Sequence, residues 1–228
     1  MVRITLAEVK GQSSREERES PLNAEPPRTR IQKKNREAIL GAALEVFSSE
    51  GFRGATLDKI AGAAGLSKPN LLYYFPSKDA IYTEVLSSLL ETWLDPLRDI
   101  QGSGDPIEEI LGYVRRKLEM SRDYPRESRL FANEIVQGAP RILDQIEGPL
   151  RRLVDEKSAL MKTWAEAGQI ARIDPYHLIF SIWATTQHYA DFSVQVKGIL
   201  GRKDDAHFAE AEEFLMVLYK SALTPGRD

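Results

Sequence analysis

Ser67, Lys68 and Asn70 lie within a single helical turn, and Tyr73 and Tyr74 follow about one turn later. A hydroxyl, an ammonium and a carboxamide so spaced can donate to guanine O6 and N7, engage adenine, or hold phosphate oxygens. Two phenols closing the same segment add donors to a sugar–phosphate backbone. Thr56 and Lys78 flank the group, where a hydroxyl and an ammonium at helix starts can hold further phosphates. Upstream, the run from Arg28 to Arg36 contains no acid. Its side chains, Arg30 and Lys34 among them, read either as an arm tracking phosphates or as a solvated helix start.

Such chemistry needs a helix that can enter a DNA major groove. Residues 56–78 read TLDKIAGAAGLSKPNLLYYFPSK. Thr56 predicts the cap of a short helix whose Leu57, Ile60, Ala61 and Ala64 face inward, with Ala61 small enough for a close helix crossing. Gly65 predicts a left-handed turn residue, Leu66 packs inward, and Ser67 caps the next helix with Pro69 in its first turn. Pro76 ends that helix and Ser77 caps another. Before them, Ile39, Ala42, Ala43, Val46 and Phe47 form one apolar face of a helix running from about Ile31 to Gly51. Three helices of this kind make a small helix-turn-helix head.

Charge supports the assignment once it is read by segment. The 228-residue chain is formally −3, but residues 28–78 carry nine Lys/Arg against four Asp/Glu, a balance of +5. Residues 79–228 balance to −7, with 18 basic against 25 acidic side chains. A basic module joined to an acidic remainder is the pattern of a nucleic-acid reader with a second, non-DNA domain. Residues 1–27, rich in Ser, Glu and Pro, read as a mostly disordered arm. Residues 28–78 read as the DNA-binding head and 79–228 as a ligand-binding and dimerisation domain.

The fold class reads as all-α with nine or ten helices. Beyond a long helix to about Leu97, helical segments fall at roughly 105–123, 126–137, 140–168, 174–198 and 205–222, with Pro149 bending or dividing the third. The absence of cysteine excludes disulfides and thiol chemistry, and three histidines without ligand spacing offer no metal centre. No cofactor is expected. No apolar run reaches the ~20 residues of a membrane span, and the chain reads as cytoplasmic. No nucleophile–base or paired-carboxylate motif marks an enzyme, and an acidic domain without a basic cleft argues against a polyanionic ligand.

In the second domain, residues 177–196 read HLIFSIWATTQHYADFSVQV. Phe180, Trp183 and Gln187 share a helix face. An indole face for stacking and a carboxamide one turn on suit a planar ring with adjacent N–H and C=O groups, such as a pyrimidine. A core tryptophan with a satisfied interhelical glutamine fits the same spacing equally well. Trp93, Lys117, Phe131 and Asn133 are further pocket candidates, with Tyr113 and Trp164 beside them, while His188 points away and reads as structural or interfacial. The helices at about 174–198 and 205–222 are amphipathic, as the halves of a homodimeric four-helix bundle would be.

The stretch from AILGAALEVFSSEGF through TLDKIAGAAGLSKPNLLYYFPSKDAIY resembles the head of the tetracycline-repressor (TetR) family, over about residues 31–85. That resemblance implies a homodimeric regulator, most often a repressor, on a roughly palindromic operator. It also implies DNA contacts by Ser67, Lys68, Asn70, Tyr73 and Tyr74 and phosphate contacts by Thr56 and Lys78. Leu72 departs from the pattern, since many members carry tyrosine there. A narrower likeness to pyrimidine-utilisation regulators of the same family rests on KLEMSRDYP, LVDEKSAL, IDPYHLIF and IWATTQHYADF, and implies a uracil or thymine effector that releases the protein from DNA. A helical small-molecule-binding protein or enzyme with a non-DNA-binding head, and an adapter using the head for protein contacts, are the alternative readings.

Overall fold

A computed structural model describes residues 30–226, and every described element is helical. The head holds α1 (Arg30–Gly54), α2 (Leu57–Ala63) and α3 (Lys68–Tyr74). The body holds α4 (Lys78–Arg98), α5 (Pro106–Asp123), α6 (Pro125–Val136), the single turn α7 (Leu143–Gln145), a π-helical turn (Ile146–Leu150), α8 (Arg151–Glu166), α9 (Pro175–Asp191), α10 (Ser193–Leu200) and α11 (His207–Leu223). No helix among the described residues is long and apolar enough to cross a membrane.

Local chemistry sets the head. The side chains of Thr56, Ser67 and Ser77 accept from the backbone N–H of Lys59, Asn70 and Ala80, capping α2, α3 and α4 in turn. Each such cap stabilises its helix by about 1 kcal/mol. Gly65 has φ 68°, and around it Leu66 N donates to Ala61 O and Gly65 N to Gly62 O, a double bond pattern that closes α2 and swings the chain into α3. Ile39, Ala43, Val46 and Phe47 of α1 meet Ile60, Ala61 and Leu71 in one buried cluster. That cluster continues into Ile81, Tyr82, Val85 and Leu86 of α4, and into Leu130, Ala139 and Ile142 around α6. The head therefore sits on the first half of α4 and on α6 as one packed unit.

The second core lies around α5, which packs on α4, α6, α9 and α11. Leu111, Val114 and Leu118 of α5 meet Ile179 and Ile182 of α9 and Leu215 and Tyr219 of α11. One boundary falls where the sequence reading put it, and one departs from it. The segment 140–168 is divided at Pro149, as its missing N–H requires, but through a π-helical turn. The segment 174–198 is two helices, because Arg129 Nη1 donates to Ala190 O at 3.2 Å and Ser128 Oγ donates to Asp191 Oδ1 at 2.5 Å. These side chains take over the end of α9, and the chain turns at Phe192 (φ −110°, ψ 27°) before α10.

Candidate functional site

Along α3 the exposed side chains form one polar strip. Asn70 is exposed, and Tyr73 is 71% exposed. Gln32 Nε2 donates to Tyr73 Oη at 3.2 Å and Asn35 Nδ2 to Tyr74 Oη at 2.9 Å, so the first turns of α1 hold both phenols. The two rings meet edge to face at 5.1 Å. Arg30 and Lys34, on the same turns of α1, are exposed. Lys68 Nζ pairs with Asp58 Oδ2 at 2.9 Å across the turn. A surface pair of this kind is worth about 0–1 kcal/mol, so a phosphate or a base edge can displace it cheaply. Arg28 and the arm before it lie outside the described residues.

Lys78 requires a correction. Its ammonium does not face a phosphate site: Nζ donates to Phe52 O at 2.7 Å and Ala55 O at 2.8 Å and sits 4.4 Å over the Phe52 ring. It closes the carbonyl end of α1, where positive charge is favoured. The N-terminal amides of α4 remain at this corner, but the side chain is a strut between α1 and α4.

In the body, α6, the π-helical turn and α9 enclose a cavity of about 570 Å³. Trp183 and Gln187 line it from α9, Phe131 and Asn133 from α6. The Gln187 side chain has no hydrogen bond among the described residues, so both ends of its carboxamide are free to pair. The Trp183 indole N–H donates to Tyr113 Oη at 2.6 Å, which fixes the ring and leaves its face as the recognition surface. Burial pushes the Tyr113 phenol up, away from ionisation.

Trp93, Lys117 and Phe180 do not line this cavity. Trp93 is buried, with Lys117 Nζ 4.4 Å over its ring. Lys117 is 2% exposed; its carbonyl accepts from Ser121 Oγ, while its ammonium makes no hydrogen bond among the described residues. Burial pushes its ammonium down to about 7, only partly offset by the charge of Asp191. Phe180 packs against Trp183 at 5.7 Å but is 47% exposed, one position too far round α9 to reach the interior. Tyr113 and Trp164 belong to the core. His188 is exposed and does not line the cavity, though it stacks at 5.0 Å on Phe192, which does.

Several lining residues escaped the sequence reading: Arg129, Ile146, Leu150, Asp191 and Phe192. Asp191 was within reach, since 183, 187 and 191 follow the same i, i+4 row. Burial raises its carboxyl, opposed by the Ser128 hydroxyl and the Arg129 charge. A second, more open groove of about 660 Å³ runs beside α8, with Asp155, Lys162, Glu166 and Arg172 among its walls. It holds none of the expected ligand residues and mixes both signs of charge.

Head and cavity are joined through α6 and the turn after it. Gly138 (φ 90°) lets that turn reverse, and Arg141 emerges from it. The Arg141 guanidinium lies 3.9 Å over Phe52, pairs with Asp79 at 3.1 Å and with the buried Glu134 at 3.2 Å. Arg126 of α6 reaches Glu45 of α1 at 2.6 Å. Residues of α6 thus line the cavity and also contact the head.

A family model described as bacterial regulatory proteins, tetR family, matches residues 39–85, and one described as YcdC-like protein, C-terminal region, matches residues 86–226. The chain is 48% identical over 200 residues to the HTH-type transcriptional regulator RutR of Escherichia coli strain K12, spanning 87% of this chain and 94% of that protein. The chain belongs to the TetR family. It is a helix-turn-helix transcriptional regulator, and the relatives are regulators rather than enzymes. The HTH-type transcriptional regulator SrpR of Pseudomonas putida is 31% identical over 53% of this chain and 62% of its own. The solved ketosteroid regulator KstR2 of Mycobacterium tuberculosis superposes with a TM-score of 0.65 at 19% identity, over 83% of this chain and 94% of that one, which shows the shared fold. TetR-family regulators bind DNA operators, respond to small-molecule effectors and are typically dimers.

Proposed function

We propose that the protein is a homodimeric repressor released from a roughly palindromic operator by a planar cyclic imide of the uracil or thymine type. Residues 28–78 supply the operator reader, and residues 79–228 hold the effector and pair the protomers through α9, α10 and α11. Ser67, Lys68, Asn70 and Tyr73 meet the groove, Tyr74 and Thr56 the phosphates, and Arg30 and Lys34 the flanking backbone.

One observation carries the effector reading. The free Gln187 carboxamide and the anchored Trp183 ring face the same 570 Å³ space. A carboxamide donates and accepts side by side, matching an N–H and a C=O on one ring edge. The indole face supplies stacking worth roughly 0.5–1.5 kcal/mol beyond burial. Asn133 offers a second carboxamide for the opposite ring edge, and Phe131 an apolar wall. Pairing across the dimer is supported by the exposed apolar side chains Phe192, Val194, Ile199, Phe214, Val217 and Leu218 along α9–α11. Isothermal titration of uracil and thymine into wild type, Gln187→Ala and Trp183→Ala tests the assignment. Losing one buried polar partner is expected to weaken binding by about tenfold or more. Equal affinity in wild type and both variants removes the pair from the effector site.

A further inference from the structure

A separate cleft of about 270 Å³ lies between head and body, walled by Phe47, Ser48 and Phe52 of α1, by Tyr82 of α4 and by residues of α6 and the turn after it. Three guanidiniums line it, Arg126, Arg129 and Arg141, with the carboxylate of Glu134 in the wall, while Glu45 and Glu127 pair with Arg126 and Asp79 pairs with Arg141. Folding gathers here arginines that are scattered through an acidic sequence. Glu134 is committed to Arg141, accepting from its backbone N at 3.0 Å and from Nη1 at 3.2 Å. The other two guanidiniums differ in how they are held. Arg126 is spent on Glu45 and Glu127 in a pair where its own side chain is 41% exposed. Arg129 hydrogen-bonds only Ala190 O among the described residues.

The cleft also holds a polar group with nothing to do. Ser48 Oγ is shielded from solvent and has no hydrogen-bond partner. A buried hydroxyl is ordinarily paired, and one left unpaired marks a missing partner. A guanidinium with free donors, a labile ion pair and an orphan hydroxyl in one small cleft define a recogniser of oxygen-rich anions.

We propose that this cleft binds a compact oxyanion of phosphate size, held by Arg126, Arg129 and the Ser48 hydroxyl. The site is distinct from the effector cavity, with which it shares only Arg129 and Asn133 as a common wall, and it does not rest on the effector reading. Ser48 belongs to the head and the arginines to the body. A bound anion ties α1 to α6, and linkage makes it alter operator affinity.

Inorganic phosphate is the probe, titrated into the full chain at low salt against sodium chloride of matched ionic strength. Thermal midpoint and heat of binding are followed for wild type, Ser48→Ala and Arg126→Gln. The expected result is a saturable rise in midpoint with phosphate beyond the chloride control. Affinity falls about fivefold in Ser48→Ala and about tenfold or more in Arg126→Gln, as expected for a neutral and a charge-assisted hydrogen bond. Ser48→Ala removes one buried oxygen and is expected to fold, so it is the decisive variant. Phosphate that acts no more strongly than chloride overturns the proposal. So does saturable binding that Ser48→Ala leaves unchanged, because that phosphate would be held on the DNA-facing surface.

Discussion

Lys117 is the group whose titration the fold alters most visibly, and its replacement by methionine isolates the effect. The ammonium is 2% exposed, stacked on Trp93 and pushed down to about 7. In the unfolded chain a lysine titrates near 10.4. Between these values the unfolded state binds the extra proton, so stability rises with pH across the window from about 7 to about 10 and is lowest below it. Integrated from pH 7 to pH 9, this single group adds about 2 kcal/mol of stability. Other groups contribute their own slopes, so the quantity to measure is the difference between wild type and Lys117→Met. Urea unfolding at fixed protein concentration, at pH 7 and pH 9, gives it directly. Wild type should gain about 2 kcal/mol more than the variant over that step, and the variant should be the more stable protein at pH 7. Identical pH dependence in the two proteins refutes the buried-ammonium argument. It would mean that water or a relaxed side chain solvates Lys117.

Three further outcomes follow from the geometry. Gly65→Ala forces a side chain into the left-handed region at φ 68° and should cost about 1–2 kcal/mol in chemical denaturation, whereas Gly62→Ala in the preceding helix should not destabilise. Arg141→Ala leaves the 1%-exposed Glu134 without its guanidinium and should cost about 3 kcal/mol, with Arg141→Ala/Glu134→Gln recovering part of the loss. Lys68→Gln should reduce the slope of log affinity for DNA against log salt by about 1 if the ammonium meets a phosphate; an unchanged slope would place its contact on a base edge or off the DNA.

The head was readable because its determinants are local. Thr56, Ser67, Ser77 and Gly65 act within a turn of their own positions, and the caps and the turn stand where their residue types require. Trp183 and Gln187 were readable for a similar reason, since helical spacing alone puts them on one face, and Asp191 continues the same row. What the sequence could not display is where a long side chain goes once helices meet. Lys78 looks like a phosphate ligand until Phe52 O and Ala55 O appear within reach of its ammonium. Lys117 and Trp93 look like pocket residues until α5 and α4 bury them against each other. The end of α9 carries no glycine or proline, and only the arrival of Arg129 from α6 at Ala190 O marks it. The arginine cleft was hidden by summing charge along the chain, which averages over partners that folding separates.

The central claim is that ligand in the Trp183–Gln187 cavity and DNA on α3 oppose one another. Fluorescence anisotropy of an operator fragment, selected from genomic DNA by the protein itself, measures this at constant salt with and without saturating uracil or thymine. Couplings between such sites typically amount to 1–3 kcal/mol, so the effector is expected to weaken wild-type operator binding by about 5- to 150-fold. The same concentration should leave Gln187→Ala bound. An operator affinity that neither pyrimidine alters in the wild-type protein, or a Gln187→Ala protein released as readily as wild type, would contradict the account.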